Sequence, residues 1–219
     1  IGNRYTILLH DVFNLDGQRG ILQTQNYIQE DNFCFEEKFF KMPSSTNVCL
    51  WGFFQTEKYF KHIEKEIRSA FTFVDEICIP TEESFKQNFG DTEVIAVHIR
   101  RGDYLQYYHH IKQTTDYYKE GLSRMPDDIP VLVFSDGIDW CKEQEIFQGD
   151  RFIFAEGNNT AVDLCLQSLC DYHVIGNSSF SWWGSWLAKS KKTVAPSYWF
   201  HESLGKDTKD LYLDGWEVI

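Results

Sequence analysis

The sequence predicts an α/β fold with a parallel sheet, and three observations predict it. Short apolar runs rich in β-branched and aromatic residues recur near residues 94, 131, 152, 172 and 193. Stretches with helical periodicity fall between them. Several of the runs end in turns of charged, hydroxyl or glycine residues, the place where open α/β sheets bind ligands. Strands alternating with helices imply a parallel sheet covered by helices on both faces.

Taken in order, residues 5–10 read as a strand, and residues 11–47 are polar and irregular with scattered Phe. Residues 57–73 read as an amphipathic helix with Phe60, Ile63, Ile67, Ala70 and Phe71 on one side. This half has too few strands for a complete second Rossmann-like domain and is read as a partial N-terminal domain over 1–90. Residues 94–99, Val-Ile-Ala-Val-His-Ile, form a buried strand that ends abruptly in Arg100, Arg101, Gly102 and Asp103. A helix is expected over 116–125. The strand at 131–134 ends in Ser135, Asp136 and Gly137, and a helix over 138–147 follows. After a short strand at 152–154, the helix at 160–170 carries Val162, Cys165, Leu166 and Leu169 on one stripe. Thr160-x-x-Asp163 resembles a capping box with Asp in place of Glu or Gln, so capping is the default role of Asp163. A strand at 172–176, a helix at 180–190 and a last strand at 193–195 before Pro196 complete a Rossmann-like domain over 91–200. Residues 201–219 are a C-terminal segment that can pack back on the N-terminal domain.

Composition narrows the function. The net charge is -12 and no basic stripe exists, which disfavours nucleic acid as a partner. Lys191-Lys192 precedes a strand and reads as a surface turn. Aromatic residues reach 16%, a content that suits sugar handling as well as a core of large side chains. The six cysteines form no CxxC pair and show no zinc spacing; Cys141 and Cys165 fall at core-like helix positions. That usage fits a reducing compartment. The Asn158-Asn159-Thr160 and Asn177-Ser178-Ser179 sequons are read as accidental. No apolar run approaches the ~18 residues of a transmembrane helix, and no signal peptide pattern appears. The chain starts at Ile1 and is read as a trimmed or partial form of a longer protein.

Three strand ends carry polar residues on one side of the expected sheet: Arg100, Arg101 and Asp103; Ser135 and Asp136; and Asn177, Ser178, Ser179 and Phe180 at a helix start. Adjacent guanidiniums can neutralise a diphosphate, Gly102 allows close backbone approach, and a serine-rich helix start is an anion site. Each has a bland counterpart: solvated surface arginines, a turn aspartate and plain helix caps. Their convergence points to a small anion such as a nucleotide sugar. The Arg101-Gly102-Asp103 tripeptide follows a core strand rather than a loop tip, so an adhesion role is rejected.

These residues also carry a family resemblance. His98-Ile99-Arg100-Arg101-Gly102-Asp103 resembles the HxRRxD motif of fucosyltransferases. Trp51-Gly52-Phe53-Phe54-Gln55-Thr56-Glu57-Lys58-Tyr59-Phe60 is similar to the preceding segment of the α-1,2 branch. The stretch from Asp163 through Asp171, with Asn177-Ser178-Ser179-Phe180-Ser181-Trp182-Trp183-Gly184, resembles that branch's second signature, and Ala195-Pro196-x-x-Trp199-Phe200 its closing strand. The resemblance covers about residues 46–200, four motifs in order. The family's opening strand and Gly-rich loop ending in Asn-Gln-Met-Phe-Gln are absent, so part of the acceptor-side domain is missing from this sequence.

The resemblance implies a GT-B-like fold and an inverting galactoside α-1,2-fucosyltransferase. L-fucose would pass from GDP-fucose to the 2-hydroxyl of a terminal galactose on a glycan. It implies that Arg100, Arg101, Asp103 and His98 form the catalytic loop, with His98 orienting it. Ser135, Asp136, Asp163, Asn177, Ser178, Ser179 and Phe180 are expected on the nucleotide, Asp136 on guanine. Gln55 and Glu57 are expected on the acceptor, with Glu57 and Asp103 both open as the base. No Asp-x-Asp occurs, so no metal and no cofactor is expected, the arginines taking the leaving-group charge. Two alternatives stay open: a fucosyltransferase of other linkage or acceptor, and a non-catalytic nucleotide- or carbohydrate-binding module. A bacterial cytoplasmic enzyme building surface polysaccharide is expected, with peripheral membrane association open and the Golgi lumen as the alternative if an anchor was trimmed.

Overall fold

The computed structural model describes residues 9–16, 26–43, 47–107 and 110–219. In chain order its strands are β1 (Tyr27–Gln29), β2 (Cys49–Trp51), β3 (Ile95–Ile99), β4 (Val131–Ser135), β5 (Phe152–Phe154), β6 (Tyr172–Val174), β7 (Lys192–Ala195) and β8 (Glu217–Val218). The α-helices are α1 (Glu64–Ala70), α2 (Asp75–Phe89), α3 (Thr115–Ser123), α4 (Ile138–Glu143), α5 (Thr160–Leu169) and α6 (Ser179–Ala188). Six strands form one parallel sheet in the order β5-β4-β3-β6-β7-β8. The strand–helix alternation thus yields the expected α/β fold.

β3 sits inside the sheet and all five of its residues are buried, as a continuous apolar run requires when both faces are covered. Alternate side chains serve two layers. Ile95, Val97, Ile99, Val131 and Val133 pack with Tyr117 and Tyr118 of α3 and Cys141 of α4. Ala96, Leu132 and Phe134 pack on the other face with Phe85 and Phe89 of α2 and Leu166 of α5.

β8 extends the sheet from the C-terminus, pairing Glu217 and Val218 with Val194 and Ala195. Between β7 and β8 the chain crosses the N-terminal part. Asp210 accepts from the Phe35 N–H at 2.9 Å and pairs with Lys58, and Asp214 pairs with Lys61.

Several expected elements differ. The helix over 57–73 is three pieces: 3-10 turns at Glu57–Tyr59 and Lys61–Ile63, then α1. Phe60 leaves helical geometry at φ -134° and ψ 1°. Its ring lies between Trp183 (5.5 Å) and Trp186 (5.4 Å) of α6, so tertiary packing overrides the local period. The helix over 138–147 breaks at Gln144, whose ψ is 130°, into α4 and a 3-10 turn at Glu145–Phe147. The capping box at Thr160 is not formed. Asn159 is the N-cap, its Oδ1 accepting from the Ala161 and Val162 N–H groups. Asp163 instead accepts from Asn158 Nδ2 at 3.0 Å. α2 is not foreseen by the pattern, and Pro80 inside it is the signal against it. The strand expected over 5–10 falls mostly outside the described residues, and Leu9 and His10 belong to the 3-10 turn Leu9–Asp11. Cys141 and Cys165 are buried, and the six cysteines are free thiols. Among the described residues no helix is long and apolar enough to cross a membrane.

Candidate active site

The C-terminal ends of β3, β4 and β6 bring the expected loops together. β3 delivers Arg100 immediately after the buried Ile99. The Arg100 guanidinium is held from two sides, Nη1 on Asp136 Oδ2 and Nη2 on Asp103 Oδ1, both at 2.7 Å. The other Asp136 oxygen accepts the Arg101 backbone N–H at 2.7 Å. Asp136 therefore ties the β4 end to the β3 loop through a backbone and a side-chain bond. Gly102 is the residue that makes room for it: a Cβ there would stand 2.3 Å from Asp136 Oδ2. The close approach that glycine permits is to this carboxylate.

The two arginines are not equivalent. Arg101 turns away from the carboxylates and lies over the Trp140 ring of α4, 3.7 Å from its centroid. Such stacking uses the flat guanidinium face, which lysine lacks. Arg100 faces Tyr104, whose hydroxyl donates to the Asn177 carbonyl at 2.9 Å and so joins the β3 loop to the β6 loop.

His98 is buried, with its ring 5.4 Å from that of Phe180 at the start of α6, and its Nδ1 has no hydrogen-bond partner. Burial, with a smaller contribution from Arg100, pushes its pKa down to about 3. It is neutral at physiological pH and supports the loop from beneath. Its backbone carbonyl accepts from the Tyr118 hydroxyl.

At the β6 end, Asn177 is buried and its Nδ2 donates to the carbonyls of Ile111 and Trp199. That amide is a brace between three loops. Ser178 is the N-cap of α6 and accepts from the Phe180 N–H. Ser179 opens the helix and lines a neighbouring cavity. Ser135 Oγ accepts from the Gly137 N–H, which closes the turn after β4. Asp163 is in the first turn of α5, where burial raises its pKa to about 6. Asn158 is its hydrogen-bond partner there.

The cavity beside Ser179 has a volume of about 490 Å³. Its walls are aromatic: Phe53, Phe54, Tyr59 and Phe60 from the N-terminal part face Trp182, Trp183 and Trp199. Gln55 lines it and Glu57 does not. Glu57 pairs with Lys61 and lines a separate recess with Arg68, Trp186 and Asp214. The structure thus separates the two residues expected on the acceptor.

Tyr104, Trp140 and Tyr118 also build the site, although sequence reasoning does not single them out. Tyr104 stands next to the motif, so its signal was adjacency. Trp140 shows only a position shortly after a strand end. Among the described residues no group of three or more His, Cys, Asp or Glu side chains is placed to hold a metal ion.

The sequence is similar to several known proteins. Residues 19–219 match the profile of Glycosyl transferase family 11. An alpha-1,2-colitosyltransferase of Escherichia coli is 38% identical over 161 residues, 68% of this chain and 55% of that protein. Human galactoside alpha-(1,2)-fucosyltransferase 1 is 27% identical over 183 residues, 76% of this chain and 48% of that protein. The chain spans about half the length of these two relatives. The O-antigen biosynthesis glycosyltransferase WbnK of Escherichia coli is 28% identical over 98% of this chain and 74% of its own length. Among solved structures, POFUT1 in complex with GDP aligns with a TM-score of 0.49 at 15% identity, over 59% of this chain and 48% of that one. With the family profile spanning nearly the whole sequence, this chain belongs to glycosyl transferase family 11, the α-1,2-fucosyltransferase family.

Proposed function

We propose that the protein transfers L-fucose from GDP-fucose to the 2-hydroxyl of a terminal galactose, with inversion, in a GT-B-like cleft. One observation carries the reading: Arg100 is fixed by two carboxylates at the end of β3, two residues after His98, whose ring lies against Phe180 in the first turn of α6. A guanidinium has five N–H donors. Those not turned to Asp103 and Asp136 are available to a β-phosphate oxygen. As the bond from the anomeric carbon to that phosphate breaks, negative charge grows on the leaving diphosphate. A cation already oriented there stabilises it without reorganisation. At the start of α6 the Ser178 N–H is held by the Gly176 carbonyl, and the Ser179 N–H is the one offered to the same anion.

Within this reading Asp103 and Asp136 orient Arg100, and Asp136 is occupied by the loop rather than by guanine. Ser135 closes the β4 turn and Asn177 braces the loops. Phe180 is the ring nearest His98 and is the candidate for base stacking. An oxocarbenium-like transition state asks little of a base. Gln55 belongs with the acceptor, and Glu57, in a separate recess, does not.

The 38%-identical relative supports a second reading of the sugar, in which colitose replaces fucose. The O-antigen biosynthesis relative supports a role in building bacterial surface polysaccharide.

Titration calorimetry with GDP, ADP and UDP is expected to show GDP binding tightest, and equal affinities would end the guanine assignment. Turnover of GDP-fucose and GDP-colitose with a galactoside then decides the sugar. Turnover is expected to persist in EDTA, since Arg100 takes the leaving-group charge. A rate restored only by added Mn²⁺ or Mg²⁺ would remove that role.

A further inference from the structure

The loop over 52–56 supplies five of the residues that line the aromatic cavity, and it is held in an unfavourable shape. Phe54 has φ 49°, in the left-handed region that a bulky side chain rarely occupies. Such strain costs free energy and persists only where the surroundings over-determine it, often at ligand clamps.

The surroundings here are Glu30. It follows β1, pairs its backbone N–H with the Trp51 carbonyl and is 8% exposed. Its Oε2 accepts from both the Phe53 and the Phe54 N–H groups, at 2.8 and 2.9 Å. Its Oε1 accepts from the Tyr59 hydroxyl at 3.3 Å. Gly52 leaves space for this carboxylate, since a Cβ there would lie 2.5 Å from Glu30 Cβ. One carboxylate therefore closes the loop over three groups, and burial from water makes each of those bonds costly to lose.

The loop so held presents flat apolar faces. Phe53 is 70% exposed at the rim, and Phe54 lies deeper beside Tyr59, 5.3 Å between centroids. Trp183 and Trp199 form the opposite wall, and Ser179 links the cavity to the anion-binding start of α6. A pyranose ring suits such walls, having C–H faces that stack on aromatics and hydroxyls at its edge. Continuity with Ser179 puts that ring next to the donor diphosphate.

We propose that Glu30 is a positioning residue for the acceptor: it clamps the 52–56 loop into the strained form that makes the aromatic cavity a pyranose subsite. The proposal rests on the transferase reading above. The test titrates the full chain with methyl β-D-galactoside, followed by tryptophan fluorescence, and with GDP, followed by calorimetry.

Glu30→Leu is expected to weaken the galactoside by more than about tenfold, the scale of one or two lost charge-assisted bonds, while GDP affinity stays within about twofold. Glu30→Gln keeps an oxygen for the two amides and is expected to restore most of the galactoside affinity. Gly52→Ala, which pushes on Glu30, is expected to follow Glu30→Leu. Unchanged galactoside affinity in Glu30→Leu overturns the proposal. So does a parallel loss of galactoside and GDP affinity with a lowered melting point, which would make Glu30 merely structural. A wild-type chain that binds GDP but no galactoside removes the subsite alone. A wild-type chain that does not bind GDP removes the transferase reading beneath it.

Discussion

The arginine loop and the aromatic cavity lie side by side and are built on opposite principles. In the loop, a few charged groups are tied by short bonds: Arg100 to Asp103 and Asp136, and Asp136 to the Arg101 backbone. In the cavity, large rings pack with few polar contacts, Phe71 on Trp183 at 5.1 Å and 2° among them, and one buried carboxylate shapes the wall. The loop orients charge, which is sensitive to small displacements. The cavity supplies surface, which many rings share. Loss of one group should therefore cost far more in the loop than at the cavity rim.

The largest effect tests that contrast directly. Arg100→Lys keeps the charge but cannot face two carboxylates and a phosphate at once. It is expected to lower kcat/KM by about 100-fold, the range seen for a lost transition-state donor. Arg101→Lys loses a stack on Trp140 and is expected to cost much less. Equal losses in steady-state kinetics would erase the distinction drawn between the two arginines.

Gly102→Ala comes next. The new Cβ would stand 2.3 Å from Asp136 Oδ2 and must displace the carboxylate that holds Arg100. A fall of roughly thirtyfold in kcat/KM is expected, with the melting temperature nearly unchanged because the contact lies past the strand end. Wild-type kinetics would show that the Asp136 clamp is dispensable.

A smaller effect concerns stability. Burial holds His98 and His173 neutral, with pKa values pushed down to about 3 and about 4 from an ordinary 6.5. The unfolded chain takes up these protons first. The contribution to stability is thus complete above pH 6.5 and is lost as pH falls toward 4. Asp163, raised to about 6, opposes this by taking a proton in the folded state first. The two histidines outweigh it, so the unfolding free energy from urea titrations should fall between pH 6.5 and 5 by on the order of 1 kcal/mol. His173→Gln should flatten that slope. A slope of opposite sign would mean that these imidazoles are not buried.

The smallest effect is expected at the cavity rim. Phe53→Ala removes one exposed ring among many and should weaken a galactoside by about threefold, without changing GDP affinity. A loss as large as that of Arg100→Lys would show that the cavity, too, depends on single groups.

The parts legible in the sequence were those with a local signal. The apolar run before Arg100 identified β3, and the same reading found β4, β5, β6 and β7 with the helices between them. The charged end of β3 and the serine-rich start of α6 were legible as candidate site segments. Other parts had signals that tertiary packing outvoted. Phe60 has the period of a helix but is drawn between Trp183 and Trp186, so the 57–73 helix breaks. Asn159 caps α5 in preference to Thr160, one residue along, because its side chain reaches two N–H groups. Glu30 had no signal: it lies in an irregular stretch, and the amides it binds are 23 and 24 residues away.

The sequence by itself therefore determined β3 to β7, the helices between them and the three polar strand ends. Those follow from side-chain periodicity and from residue types at the ends of runs, which are local properties of the chain, while β1, β2 and β8, each of two or three residues, are too short to carry a periodic signal. Only the tertiary structure decided that Arg100 pairs with two carboxylates while Arg101 stacks on Trp140, that Asp136 binds the β3 loop and that Glu57 lines another recess. Those outcomes depend on hydrogen bonds and ring contacts between distant segments, such as the bond across 35 residues from the Arg101 N–H to Asp136. Their energies exist only once the sheet has brought the segments together.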